Sequence, residues 1–128
     1  MKLLLDTHAF IWWDSNPAKL SSNALALCQD QSNTLLLSVA SIWEMQIKLQ
    51  LGKLKLSLSL AEVIEGQQQL NNLDLLPVLL EHVLHLEGLP LHHKDPFDRL
   101  LIAQANIENA TLVSNDPVFR NYQVKLLW

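Results

Sequence analysis

His92-His93-Lys94-Asp95-Pro96-Phe97-Asp98-Arg99-Leu100-Leu101-Ile102-Ala103 reads as the start of a well-made helix. Asp95 suits the N-cap, because its carboxylate can accept from the free N–H groups of the first turn. Pro96 fits the first helical position, where its missing N–H costs nothing. Asp98 stands at the third position, where a carboxylate meets the positive end of the helix dipole. The apolar run that follows carries the helix to about Glu108. Beyond it, Thr111-Leu112-Val113-Ser114 reads as a strand. Asp98 is thus either a decoration of one helix start or one member of a carboxylate cluster, and the rest of the chain decides between them.

Working outward, the same alternation recurs. Lys2 to Leu5 is short, apolar and bounded by Asp6, as expected of a buried parallel strand. A helix is predicted from Asp6 or Thr7 through Trp13, then turn chemistry at Asp14-Ser15-Asn16-Pro17. A second helix is expected from Pro17 or Ser21 to Gln29, and a second buried strand at Thr34–Ser38. The next helix starts near Ser38, where Ser41-Ile42-Trp43-Glu44 has the form of a capping box, and Gly52 stops it. The alternating Lys53–Leu58 allows a short strand. Ser59-Leu60-Ala61-Glu62 is a further capping box, opening a helix through Leu70. Leu73–Pro77 suits a third core strand, Leu79–Leu86 a helix, Asn115-Asp116-Pro117 a short helix start, and Val124–Leu127 an edge strand. Strands alternating with helices predict an α/β sandwich with a mainly parallel sheet.

The 128 residues suit one domain, residues 1–128, with a sizeable core. Apolar residues make up 49% and charged residues 17%, which argues against disorder. The longest apolar runs are far too short to span a bilayer. Asp6 interrupts the only signal-like start, so no export is expected. Cys28 is the only cysteine, which excludes an intrachain disulfide and makes a reducing cytoplasm the simplest location. The formal charge of −4 lacks the basic footprint of a nucleic-acid binder. A carboxylate metal site would distort that balance, because bound cations would neutralise the acids concerned.

Asp6, Glu44, Asp98 and Asp116 share a context: each follows a strand end or opens the next helix. In a parallel sheet with right-handed crossovers these positions fall on one edge, where open α/β sheets place their sites. Each acid also has a capping role available, and singly capping is the simpler account. Taken together the acids point elsewhere. Like charges gathered on one edge repel, and a divalent cation is the natural counter-charge. Carboxylate oxygens suit Mg²⁺ or Mn²⁺.

Asp6-Thr7 after the first strand, Ser41-x-x-Glu44, Asp95-Pro96-Phe97-Asp98-Arg99-Leu100-Leu101-Ile102-Ala103-Gln104-Ala105 and Ser114-Asn115-Asp116-Pro117-x-Phe119 together resemble the PIN domain. More closely they resemble its VapC-type branch, the ribonuclease toxins of bacterial toxin–antitoxin pairs. The resemblance spans nearly the whole chain, and the Asp-Pro-Phe-Asp-Arg run and the Asn-Asp pair are its most specific parts. It implies a three-layer α/β/α sandwich with a mainly parallel sheet of about four to five strands. It also implies a metal-binding acidic centre of Asp6, Glu44, Asp98 and Asp116, with Asp95 left as a cap and Thr7 and Ser114 as orienting neighbours. The activity implied is Mg²⁺- or Mn²⁺-dependent endoribonuclease action leaving a 5′-phosphate and a 3′-hydroxyl. The partners implied are an antitoxin protein encoded beside it, an RNA substrate and a second copy in a homodimer, with no membrane.

Arg99 and Lys94 flank Asp98 and are either phosphate contacts or ordinary solvated charges. Lys48, Lys53 and Lys55 read as solvated. His82-x-x-His85 lacks a third zinc ligand and reads as a surface pair, while His92 and His93 sit near the acids without an assigned role. The tryptophans suit core or interface positions better than base stacking. No phosphate loop and no nucleophile elbow is present. Two alternatives remain. A phosphatase of the haloacid-dehalogenase type also begins with an Asp after the first strand, but it would want a second Asp where His8 stands. A non-catalytic PIN-like module would not need all four acids.

Overall fold

The computed structural model describes residues 1–128. In chain order its elements are β1 (Lys2–Leu5), α1 (Thr7–Ser15), α2 (Ser22–Gln29), β2 (Thr34–Ser38), α3 (Val39–Gln50), α4 (Leu60–Asn71), β3 (Asp74–Leu76), α5 (Leu80–His85), α6 (Pro96–Glu108), β4 (Thr111–Val113) and β5 (Leu126–Leu127). Short 3₁₀ turns lie at Pro17–Lys19, Leu86–Gly88 and Pro117–Asn121. The five strands form one sheet in the order β3-β2-β1-β4-β5, and every pairing is parallel.

Consecutive leucines make sense in this sheet because both of its faces are covered. Leu3 and Leu5 of β1 and Leu35 and Leu37 of β2 join one core with Phe10, Ala24, Met45 and Ile64, from α1 to α4. Leu4 and Leu36 point the other way, into a second core with Leu101, Ile102 and Ala105 of α6 and Phe119. The result is the expected three-layer α/β/α sandwich. Strand order explains the layering. The chain steps outward from β1 to β3 and then returns across β1 to β4, so right-handed crossovers put α1–α4 on one face and α6 on the other. The direction reverses at β1, which makes its C-terminal end the crevice of the sheet. No helix is long and apolar enough to cross a membrane.

Three expectations change. Residues 53–58 form no strand. Of the two starts expected for α2 the later holds, with Ser21 as its cap, while Pro17–Lys19 is a separate 3₁₀ turn. Ser38, not Ser41, caps α3: its Oγ accepts from the Ala40 N–H at 3.1 Å. That moves Glu44 into the second turn, where it is buried rather than engaged in a capping box. His82 is fully buried, because α5 is short and lies directly against α6. The Ser59–Glu62 capping box forms as expected.

Candidate metal centre

The C-terminal ends of β1, β2 and β4 lie side by side, with Leu5 paired to both Leu37 and Val113. Asp6 follows β1 at once, Ser38 at the end of β2 caps α3, and Asp116 follows the end of β4 by three residues. An open cleft of about 470 Å³ lies over this edge, lined by Asp6, Glu44, Asp98 and Asp116 together with Asp95, His8, Trp12, Lys48 and Asn115. All the acids named from the sequence therefore share one cleft.

Asp6 is the deepest of them, only 5% exposed. It caps α1, with Oδ1 accepting from the Ala9 N–H at 2.7 Å. Burial pushes its carboxyl above the ordinary range; the Ser114 hydroxyl and the Ala9 N–H hold it back in part, while the charge of Asp116 adds to the rise. Asp98 faces the same cleft from the first turn of α6. Its carboxyl is pushed up to about 6, mostly by burial and further by the charges of Asp95 and Asp6, against a lowering hydrogen bond from His93. Both shifts have one physical origin. Carboxylates are crowded where water is scarce, and a cation would relieve them.

Asp116 caps the 3₁₀ turn that begins at Pro117, with Oδ1 accepting from the Val118 N–H at 3.0 Å. Its own N–H donates to Ser114 Oγ at 3.1 Å. Glu44 differs from the others, because both of its oxygens are already engaged. The Thr7 hydroxyl donates to Oε1 at 2.6 Å, and Lys48 Nζ lies 3.0 Å from Oε2.

Asp95 keeps the role of a cap: Oδ1 accepts from the N–H groups of Phe97 and Asp98 at 2.8 and 3.1 Å. Asp95→Ala is expected to cost about 1 kcal/mol, and Asp95→Asn only a few tenths, since Asn caps almost as well. Urea unfolding measures both. Arg99 turns away from the cleft, and its guanidinium donates to the carbonyls of Leu86 and Leu89. It clamps the α5–α6 connection. Lys94 is exposed at the loop before α6.

Two contributors lay outside the sequence reading. His93 places Nε2 2.7 Å from Asp98 Oδ2, and the ligating atoms of His93, Asp98 and Asp116 all fall within 4.8 Å of one another. Asp6 and Glu44 line the cleft outside that tight set. The pairing of Lys48 with Glu44 had a readable signal in its i, i+4 spacing. Nothing in the adjacent pair His92-His93 says which imidazole reaches Asp98.

The PIN domain family model matches residues 3–125. No curated protein matches the chain. Among solved structures, VapBC2 from Rickettsia felis, bound to a DNA fragment from its promoter, superposes with a TM-score of 0.75 at 20% identity, covering 99% of this chain and 98% of that one. DNA-bound VapBC from Salmonella typhimurium gives a TM-score of 0.69 at 14% identity, over 99% and 97% of the two chains. FitAcB from Neisseria gonorrhoeae gives 0.61 at 16%, over 98% and 96%. At such identities the likeness is one of fold.

Proposed function

The chain belongs to the PIN domain family, and from that premise we propose that it is a metal-dependent endoribonuclease acting in the cytoplasm as the toxin of a toxin–antitoxin pair. The observation that carries this reading is the convergence of Asp6, Glu44, Asp98 and Asp116 on one cleft at the reversal point of the sheet. The residues fit a divalent ion, since oxygen donors dominate the cleft and burial has raised two of the carboxyls in want of a counter-charge.

Asp6, Asp98 and Asp116 would hold Mg²⁺ or Mn²⁺, with Glu44 completing the acidic centre. The ion supplies a water of lowered pKa and a positive partner for a phosphate oxygen. The protein contributes order. Asp6 and Asp116 are fixed by the helix starts that they cap. Glu44, gripped by Thr7 and Lys48, is suited to hold water rather than to swing inward, and it keeps the Lys48 ammonium at the cleft, where an RNA phosphate would meet it. Hydrolysis is expected to leave a 5′-phosphate and a 3′-hydroxyl. The open shape of the cleft suits a polymer passing through.

Apolar side chains left exposed along α5, at Leu80, Val83 and Leu84, with Val39 and Val78 also exposed, supply area for a homodimer. The four-acid cleft is the surface that an antitoxin would need to cover, and a basic side chain would suit it.

The test is cleavage of end-labelled RNA by the purified chain. Cutting with Mg²⁺ or Mn²⁺ is expected, with none in EDTA and a 5′-phosphate on the new ends. RNA left intact in both metals, or cut equally well in EDTA, rejects the reading.

A further inference from the structure

We propose that His93 is itself a ligand of the divalent ion, through Nε2, beside Asp98 and Asp116. This rests on the reading of the cleft as a metal centre and adds an imidazole to a site otherwise described by its carboxylates.

The tightest group of donor atoms here joins two acids of the cleft to an imidazole that stands beside its lining side chains. His93 Nε2, Asp98 and Asp116 offer atoms that all lie within 4.8 Å of one another. That spacing suits a single ion. Ligands about 2.1 Å from an octahedral centre sit about 3.0 Å apart when adjacent and about 4.2 Å when opposite. His93 Nε2 and Asp98 Oδ2, at 2.7 Å, are close to an adjacent pair.

The imidazole is also held in place. The His93 backbone N–H donates to the Tyr122 hydroxyl at 2.8 Å, and its ring stands edge-on to Phe119, 6.5 Å between centroids. Phe119 belongs to the 3₁₀ turn that Asp116 caps, and Tyr122 ends that turn. One short segment therefore positions both the imidazole and a carboxylate, and the start of α6 supplies the third donor. Nε2 contacts Asp98 while Nδ1 has no hydrogen-bond partner in the protein, so the ring proton can reside on Nδ1 when Nε2 gives its lone pair to an ion.

The other cluster of this kind, Glu81, His82 and Glu108, is closed instead. His82 Nδ1 accepts from the Leu79 N–H at 3.0 Å, and Nε2 faces Glu108 Oε2 at 3.0 Å. An imidazole among carboxylates favours Mn²⁺ over Mg²⁺, because nitrogen donors suit the transition ion.

Pulsed electron paramagnetic resonance of Mn²⁺ bound to the untagged full chain tests this directly. Nuclear modulation from an imidazole ¹⁴N is expected in the parent and in His92→Gln, and it should be lost in His93→Gln. Mn²⁺ affinity should fall about tenfold in His93→Gln, and Mg²⁺ affinity less. An Mn²⁺ site that depends on Asp98 but shows no nitrogen modulation would overturn the role of His93. So would modulation that survives His93→Gln. In either case, RNA cleavage by the parent leaves the nuclease reading standing. If the parent binds Mn²⁺ no better than Asp98→Asn does, the metal-centre reading falls as well.

Discussion

Asp98→Asn is expected to lower divalent-ion-dependent RNA cleavage by at least about 10³-fold while making the metal-free protein more stable by about 1–2 kcal/mol. The two effects have one cause. Burial and the neighbouring charges of Asp95 and Asp6 raise the Asp98 carboxyl to about 6. In the unfolded chain the same group titrates near its ordinary value of about 3.9. A carboxyl raised on folding stabilises most when it is protonated. Its contribution is complete below about pH 4 and is lost as the pH rises through 6. At neutral pH and without a cation, the charged Asp98 therefore works against folding, and a neutral amide relieves it. The energy given is discounted for solvent screening, since the side chain is 21% exposed.

Asp6 is raised in the same direction, so Asp6→Asn should behave alike while still capping α1. Urea unfolding in EDTA should find the parent more stable at pH 5 than at pH 7, with Asp98→Asn flattening part of that difference. Saturating Mn²⁺ should stabilise the parent at pH 7 and leave Asp98→Asn little changed. At limiting metal, cleavage by the parent should decline below about pH 6, as protons compete with the ion for Asp98, and saturating metal should move that decline to lower pH. A variant that cuts RNA as well as the parent, or that is less stable than the parent in EDTA at pH 7, would sink this account.

The second large effect concerns a residue remote from the chemistry. His82→Ala is expected to cost about 2–4 kcal/mol, lowering Tm by about 10 °C, with cleavage per folded molecule unchanged. His82 has no exposed surface. Its Nδ1 accepts from the Leu79 N–H, which fixes the tautomer and leaves Nε2–H to donate to Glu108. Gln104 Nε2, itself bonded to the Pro77 carbonyl at 3.2 Å, lies 3.3 Å from Nδ1. Truncation would empty the space and strand several of these partners at once, at the contact between α5 and α6. Thermal unfolding measures the loss, and a cost below about 0.5 kcal/mol would mean that water replaces the ring at little expense.

Much of this molecule is written locally. Strings such as Leu3-Leu4-Leu5 and Leu35-Leu36-Leu37 declare strands covered on both faces. Asp95-Pro96 and Ser59-x-x-Glu62 declare helix starts, because a cap and its N–H partners lie within a few residues of each other. The alternation of these elements settles the sandwich and, with right-handed crossovers, brings Asp6, Glu44, Asp98 and Asp116 to one edge. Sequence fell short where the deciding partner is remote or where two neighbours look alike. Ser38 displaced Ser41 as the cap of α3 because the strand ends there, and burial of Glu44 depends on Thr7, 37 residues away. His82 and His85 share one motif, yet only the packing of α5 on α6 buries the first. His92 and His93 are chemically identical in the sequence; the Tyr122 hydroxyl and the Phe119 ring decide which one reaches Asp98. Local patterns specify elements because hydrogen bonding and side-chain periodicity act over a turn or two. Depth, charge pairing and the raised carboxyls of Asp6 and Asp98 arise only when distant elements exclude water together.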